Sequence, residues 1–258
     1  MGLRRSHRLG EAALHVSDHG SQLTADHAHR PERGPTGSME VEAFIDFICP
    51  RCYIAVRYLF DALAMFEHRD DVRIAWRSFQ LDVLSGRSFD ELLVVDVMRN
   101  HRMKRTDATD VAATVITKLR EAAARAGLVY QPGATTPGDT FAAHRMLQLA
   151  GAHGIADLAV ERIQSAYFEH GMAIDDRESL AILAAEMGIE PDTTRSVAFG
   201  DAYADAVLAD RDRAERRGIW SVPFFICDGR FAVSGTQSPR WMHEMMRRCW
   251  SDRCRERR

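Results

Sequence analysis

Residues 41–52 have the sequence VEAFIDFICPRC, and this stretch decides how the chain is interpreted. The nearly continuous apolar run Val41–Ile48 is typical of a strand buried on both faces, and Cys49-Pro50-Arg51-Cys52 follows it directly, opening a segment with helical spacing. Two thiols at this spacing after a strand indicate a redox dithiol. A helix N-terminus stabilises the thiolate of the first cysteine, and the second, one turn later, can attack a mixed disulfide formed by the first.

Two other uses of this cysteine pair stay open at this point. A structural zinc site needs a second pair of ligands, but Cys227, Cys249 and Cys254 do not supply another C-x-x-C. Two inert, buried thiols are the other alternative. The strand-then-helix context favours the redox dithiol over both, and we expect no metal site.

The composition is globular, without a strong charge bias. Of 258 residues 46% are apolar and the net charge is −3, so electrostatics do not favour nucleic acid as a partner. The chain lacks an apolar run of about 18 residues, which argues against a membrane span. The basic N-terminus has no apolar segment of a secretory signal, and five cysteines are few and odd in number for a secreted scaffold. We therefore expect a cytoplasmic protein.

Residues 1–38 differ from everything that follows. They are rich in His, Gly, Ser, Arg and Pro and show little periodicity. The composition predicts a disordered N-terminal extension, with Met39 as a candidate start of the folded protein.

Hydrophobic spacing predicts a β-α-β unit at the start of the folded part. After the first strand, a helix is expected to reach Phe66, and the alternating segment Val72–Trp76 is expected to form a second strand parallel to the first. Phe224–Cys227 and Phe231–Ser234 predict a hairpin near the other end of the chain, and Ser238-Pro239 predicts the start of the last helix.

The region between these units is expected to be helical. Thr109 is a candidate N-cap for a helix ending near Gly127, and Asp176 is a candidate N-cap for another. Pro191 is expected to break the chain before a single final helix that ends near Gly218.

Five motifs, in order between about Met39 and Met246, carry a resemblance to a known family. They are Asp46–Ile54, Ala143–Arg145, Ala166–Gly171, Val222–Phe225 and Val233–Gln237. Together they resemble a DsbA-family thioredoxin-fold protein of the FrnE-like branch. The resemblance implies an α/β thioredoxin fold interrupted by a large all-helical insertion. The expected boundaries are 39–87 and 217–250 for the thioredoxin-fold domain, 88–216 for the insertion and 251–258 for a basic tail.

The same resemblance assigns roles around the dithiol. Cys49 and Cys52 are catalytic, and Pro223 follows a cis peptide bond that exposes the backbone of Val222 to an extended substrate. Contacts with substrate are expected from Arg51, Pro50, His144 and Gln237.

Arg51 lies between the two cysteines, and Asp46 lies shortly before them. The family usually has Trp at the position of Arg51, and a fixed cation there should further favour the Cys49 thiolate. Asp46 precedes Cys49 by three residues. Its buried carboxyl group either transfers protons or only accepts hydrogen bonds from nearby backbone N–H groups, and the sequence does not distinguish these alternatives.

Cys249 and Cys254 form a C-x4-C in the basic C-terminal segment. In a continuous helix the two residues rise about 7.5 Å apart, beyond the limit of about 7 Å between the Cα atoms of a disulfide. They are a candidate second redox pair only if the helix unwinds after Cys249, and independent thiols are the alternative. Cys227 lies in an apolar strand and is expected to be inert.

The sequence therefore predicts a thiol–disulfide oxidoreductase or isomerase that acts through a mixed disulfide. Its expected partners are protein or small-molecule thiols and disulfides, with glutathione as a candidate, and it needs no cofactor. One alternative is a glutathione-dependent isomerase of the hydroxychromene-carboxylate type, although those enzymes generally have Ser in place of the first cysteine. Another is a non-enzymatic groove-binding or chaperone module.

Overall fold

A four-stranded mixed sheet lies at the centre of the computed structural model, which describes residues 38–81, 93–95, 98, 104–131 and 138–256. The strands β1 (Met39–Ile45), β2 (Val72–Ser78), β3 (Phe224–Cys227) and β4 (Phe231–Ser234) are arranged in the order β2-β1-β3-β4. Strand β2 is parallel to β1, β3 is antiparallel to β1, and β4 is antiparallel to β3. The predicted β-α-β unit and the predicted hairpin are both confirmed.

Helices make up most of the remaining described chain. Helix α1 (Pro50–Met65) and the short 3-10 turn Arg69–Asp71 connect β1 to β2, and α8 (Pro239–Glu256) follows β4. Between β2 and β3 lie α2 (Arg105–Arg125), α3 (Phe141–Ala152), α4 (Ala156–Phe168), α5 (Arg177–Glu186), α6 (Pro191–Phe199) and α7 (Ala204–Arg216). This order is a thioredoxin fold with a helical insertion. None of the described helices is long and apolar enough to cross a membrane.

Two of the predicted helix caps are present and one is not. Asp176 accepts a hydrogen bond from the backbone N–H of Glu178 at 3.3 Å, and Ser238 accepts one from Trp241 at 3.3 Å, so both predicted caps are confirmed. The Thr109 cap is wrong, because α2 already begins at Arg105 and the Thr109 hydroxyl donates back to the Arg105 carbonyl at 2.8 Å.

The single helix expected after Pro191 is two helices. Pro191 occupies the first position of α6, where the missing N–H costs no hydrogen bond, and the Glu190 carboxylate caps the helix by accepting from the N–H of Thr193 at 2.7 Å. The chain then turns at Tyr203, whose φ of 65° is left-handed, and α7 begins. The predicted extension up to residue 37 lies outside the described residues.

A buried carboxylate in β1 holds α7 against the sheet. Glu42 is 3% exposed and pairs with Arg77 of β2 at 3.0 Å, Arg213 of α7 at 2.6 Å and Arg217, just after α7, at 2.8 Å. Arg77 also lies 3.4 Å from Asp210 of α7. Because three guanidinium groups converge on one carboxylate, the cluster fixes α7 relative to both parallel strands.

Helix α1 belongs to two hydrophobic clusters. Val56 and Leu59 pack in the main core with the sheet, whereas Ile54 packs with Leu93 and with residues of α2 such as Ile116. Helix α1 is therefore shared by the sheet and the insertion.

Helix α8 closes the other side of α1. Trp250 lies edge-on to Phe66 with ring centroids 6.2 Å apart and stacks on His68 at 4.3 Å. The end of α1 is thus covered by the last helix of the described chain.

Candidate active site

The two cysteines of the C-x-x-C motif lie where β1 passes into α1. Cys49 is the N-cap residue of α1, and Pro50 occupies the first helical position, where no intrahelical N–H is needed. Cys52 lies within the first turn. Both thiols are free in the reduced state, Cys49 with 6% of its surface exposed and Cys52 with none. Cys49 is thus the more accessible of the two, although both side chains are buried.

The environment shifts the pKa values of the two thiols in opposite directions. A hydrogen bond from the Cys52 thiol is the largest influence that lowers the pKa of Cys49. The nearby backbone N–H of Cys52 and the Arg51 guanidinium act in the same direction, while burial and Asp46 oppose them. Burial, followed by the proximity of Cys49, raises the pKa of Cys52 well above that of an ordinary thiol. Cys49 is therefore the thiol that ionises first.

The Val222–Pro223 segment lies against the dithiol. Its peptide bond is cis, as the sequence resemblance implies. The sulfur of Cys49 lies 3.9 Å from the carbonyl oxygen of Val222, and the carbonyl of Pro223 accepts a hydrogen bond from Gly235 at 2.8 Å. The hairpin thus holds this backbone beside Cys49.

Arg51 is held over the end of the same hairpin. A Cβ atom on Gly235, whose φ is +82°, would approach the Arg51 Nη2 atom to 3.0 Å, so glycine suits this position for both backbone and space. The Thr236 hydroxyl donates to the Arg51 carbonyl at 3.1 Å. The Nη1 atom is buried without a hydrogen-bond partner among the described residues. Arg51 consequently offers unused donor capacity next to the dithiol.

Comparison with known proteins agrees with this geometry. A family model described as a DSBA-like thioredoxin domain matches residues 40–247. The chain belongs to the DSBA-like thioredoxin family. A probable DsbA oxidoreductase from Streptomyces coelicolor is 30% identical, with a TM-score of 0.72 over 83% of this chain and 90% of that one. A search of curated proteins gives no significant match.

More distant solved structures share the fold. A 2-hydroxychromene-2-carboxylate isomerase is 14% identical, with a TM-score of 0.59 over 84% of this chain and 97% of that one. The cytosolic disulfide reductase DsbM from Pseudomonas aeruginosa is 17% identical, with a TM-score of 0.53 over 84% and 98% of the two chains. A second structure of DsbM was solved with GSH. At these identities the likeness shows the fold alone.

Asp46 and His144 form a buried pair beneath the dithiol of this DSBA-like protein. The Asp46 carboxylate accepts hydrogen bonds from the backbone N–H groups of Phe47 and Leu81, each at 2.7 Å, and lies 3.3 Å from His144 Nε2. His144 was expected to contact substrate in a groove, but it has no exposed surface and packs against the Phe47 ring at 4.9 Å. In the reduced protein it lies behind the site.

Tyr53 connects the site to the insertion, and sequence reasoning missed it. Its hydroxyl donates to the Glu169 carboxylate, and its ring stacks on Phe168 of α4 with centroids 4.7 Å apart. Burial raises the pKa of Tyr53, so the phenol stays protonated as a donor. The position of Tyr53 directly after Cys52, inside a matching motif, was the available signal.

The remaining expected site residues lie in different places. Gln237 is partly exposed after β4 and donates to the Ser234 carbonyl at 3.1 Å. Helix α8 runs unbroken through Cys249 and Cys254, with Cys249 buried and Cys254 exposed. The unwinding that their pairing requires does not occur, so the geometry does not support them as a second redox pair.

Proposed function

We propose that this protein is a thiol–disulfide oxidoreductase in which Cys49 is the nucleophile and Cys52 the resolving thiol. The observation that carries the proposal is the placement of the two thiols: Cys49 is the N-cap residue of α1 beside the cis Val222–Pro223 bond, and Cys52 is fully buried in the first turn. The thiol that ionises more readily is also the more accessible of the two. Exchange requires a thiolate with access to a sulfur, and Cys49 meets both conditions better than Cys52.

The reaction in the reducing direction has two displacements. The Cys49 thiolate attacks one sulfur of a substrate disulfide, forming a mixed disulfide and releasing one substrate thiolate. The Cys52 thiol loses its proton and attacks the Cys49 sulfur, releasing the second substrate thiolate. The substrate gains two electrons and two protons, and the protein is left with a Cys49–Cys52 disulfide that an external thiol must reduce. The oxidising direction is the reverse.

The residues around Cys49 suggest how a substrate is held. The backbone of Val222, before Pro223, is placed to pair with an extended substrate segment, and its carbonyl already lies 3.9 Å from the Cys49 sulfur. Arg51 can donate to an anionic group of the substrate through Nη1. Gln237, which is partly exposed, follows Thr236, whose hydroxyl binds the Arg51 carbonyl, whereas Pro50 is buried. Glutathione, which carries carboxylates next to a thiol, is a candidate partner.

Asp46 is proposed to assist proton movement rather than to bind substrate. It lies close enough for its negative charge to raise the pKa of both cysteine thiols. Its two backbone hydrogen bonds fix the carboxylate, and His144 Nε2 lies 3.3 Å from it. This arrangement places a base near the thiol that is hardest to ionise.

We further propose a cytoplasmic location and assignment to the FrnE-like branch. The support for the location is the low, odd cysteine count and the likeness in fold to a cytosolic disulfide reductase. A cytoplasmic setting favours catalytic use of a C-x-x-C over structural use.

A glutathione-dependent isomerase is the second candidate, because one solved structure of similar fold is a 2-hydroxychromene-2-carboxylate isomerase. The two candidates differ in their need for Cys52. Isomerisation through bound glutathione needs no resolving thiol in the protein, whereas disulfide exchange does.

Thiol trapping tests the proposal. The Cys52→Ser protein should accumulate a mixed disulfide with a peptide disulfide substrate through Cys49, because nothing resolves it. The Cys49→Ser protein should trap almost nothing, and Cys254→Ser, which alters an exposed thiol, should behave as the unmodified protein. Mass spectrometry of the adducts identifies the cysteine used. Adducts formed mainly through Cys52 would reverse the assigned roles, and full isomerase turnover by Cys52→Ser would favour the second candidate.

A further inference from the structure

Cys227 and Cys249 form a second pair of thiols that the active site does not use. Cys227 is the last residue of β3 and Cys249 lies in the middle of α8, and they have 0% and 1% of their surface exposed. The two thiols lie within hydrogen-bonding reach of each other. Burial, followed by this contact with Cys249, raises the pKa of Cys227 well above that of an ordinary thiol.

The backbone arrangement supports the pairing independently. Asp228, the residue after Cys227, forms an ion pair with Arg253 at 2.8 Å. Arg253 lies four residues after Cys249, on the same face of α8. Cys227 at the end of β3 and the following residue, Asp228, therefore face two residues one turn apart on α8. In addition, Asp228 is fixed to β1, since its side chain accepts a hydrogen bond from the Glu40 N–H at 2.8 Å.

The pair is remote from the catalytic dithiol. Cys227 lies opposite Val41 near the start of β1, whereas Cys49 follows the end of that strand. The four steps from Val41 to Ile45 alone cover about 13 Å. Direct exchange between the two pairs within one molecule is therefore excluded by distance, and the second pair needs its own oxidant.

We propose that Cys227 and Cys249 are an oxidisable dithiol that closes a disulfide between β3 and α8. A low-molecular-weight disulfide is the oxidant. One protein thiolate attacks it and forms a mixed disulfide, releasing one small thiol. The other protein thiol then displaces the second small thiol, and the two protons leave with the released thiols. The product staples α8, and with it the cover over the end of α1, to the sheet.

Burial sets the rate of this oxidation. A thiol with a raised pKa contains little thiolate, and neither sulfur is accessible until the end of α8 opens locally. Oxidation of Cys227 and Cys249 should therefore be slower than oxidation of Cys49 and Cys52. The site is suited to sustained oxidising conditions rather than to rapid turnover.

Peptide mapping tests the proposal on the folded, full-length protein treated with glutathione disulfide. The Cys49→Ser/Cys52→Ser background removes the catalytic dithiol, and free thiols are then alkylated. Trypsin cleaves after Arg217, Arg230, Arg248 and Arg253, so Cys227, Cys249 and Cys254 fall in three separate peptides. We expect peptide 218–230 linked to peptide 249–253 as the main intramolecular product. Glutathione attached only to Cys254, with no linked peptide, would overturn the proposal.

Thermal unfolding gives a second readout in the same background. The two cysteines are 22 residues apart, and a disulfide that closes such a loop should raise the Tm by about 6–12 °C. The shift should persist in Cys254→Ser and vanish in Cys249→Ala. Should Cys249→Ala fold poorly, the linked peptide in the parent protein still decides the matter. An oxidised parent that shows the link but no rise in Tm would contradict the stapling role.

Discussion

Replacing Glu42 by Gln should weaken the fold more than its conservative appearance suggests. The substitution keeps the size of the side chain but removes the charge on which Arg77, Arg213 and Arg217 converge at 2.6–3.0 Å. It also turns an amide NH2 group toward at least one guanidinium. Arg213 and Arg217 then lose the carboxylate that they share at the joint between α7 and the sheet, while Arg77 keeps Asp210 at 3.4 Å.

The expected loss follows from the burial of this cluster. Removing one partner of a buried ion pair costs about 3–5 kcal/mol, because the remaining charge is left without compensation. The side chains of the three arginines keep 26–30% of their surface exposed, so water can recover part of the loss. We therefore expect about 3 kcal/mol, which corresponds to a fall in Tm of about 6–12 °C.

Urea unfolding of the full-length reduced protein measures the effect, with Glu40→Gln as the matched control. Glu40 lies two residues earlier on the same strand and pairs with Arg73, whose side chain is half exposed, so its loss should cost no more than about 1 kcal/mol. The alkylation rate of Cys49 should be the same in both folded variants. Equal destabilisation by the two substitutions would refute the argument that the Glu42 cluster fixes α7.

Three further predictions concern the dithiol and the N-terminus. Cys52→Ala removes the hydrogen bond that contributes most to lowering the Cys49 pKa, so the pH profile of Cys49 alkylation should move to higher pH. The move should be smaller in Cys52→Ser, which keeps a hydroxyl donor. Identical profiles for the two variants would contradict this reasoning. Arg51→Glu should raise the Cys49 pKa and make the couple more reducing by tens of mV, measured against a glutathione buffer, whereas an unchanged thiolate titration would remove Arg51 from the argument. Deleting residues 1–38 should leave the Tm and the dithiol activity unchanged, because that segment has too few apolar residues to join a core; a fall of more than a few degrees would defeat this expectation.

Local patterns predicted the parts of the fold that local physics determines. The alternation in Val72–Trp76, the turn at Asp228 and the caps at Asp176 and Ser238 are each decided by neighbouring residues, and the structure contains all of them. The predicted N-cap at Thr109 was wrong because a threonine inside a helix can donate its hydroxyl to the carbonyl four residues earlier. Thr109 makes this bond to Arg105, and the sequence alone does not show that the helix already begins there.

Long-range pairings were beyond the reach of the sequence. Glu42 interrupts an apolar run, but nothing nearby shows that Arg213 and Arg217 return to it from more than 170 residues away. Closeness in sequence suggests Cys254 as the partner of Cys249, whereas the packing of α8 against β3 places Cys227 there. His144 was recognised as part of a motif, yet its burial depends on how α3 packs beneath Asp46.

The sharing of α1 between two clusters limits how far the chain can be reduced. Replacing residues 88–216 by a short linker would uncover Ile54, deprive Tyr53 of its acceptor on Glu169 and remove Arg213, one of the three cations that pair with Glu42. A minimal version consisting of the sheet, α1 and α8 would expose apolar surface beside the catalytic cysteines and would tend to aggregate. Such a miniature would need polar replacements on α1 before it could be tested as an enzyme. The inserted helices are thus structural supports of the catalytic helix rather than a detachable accessory.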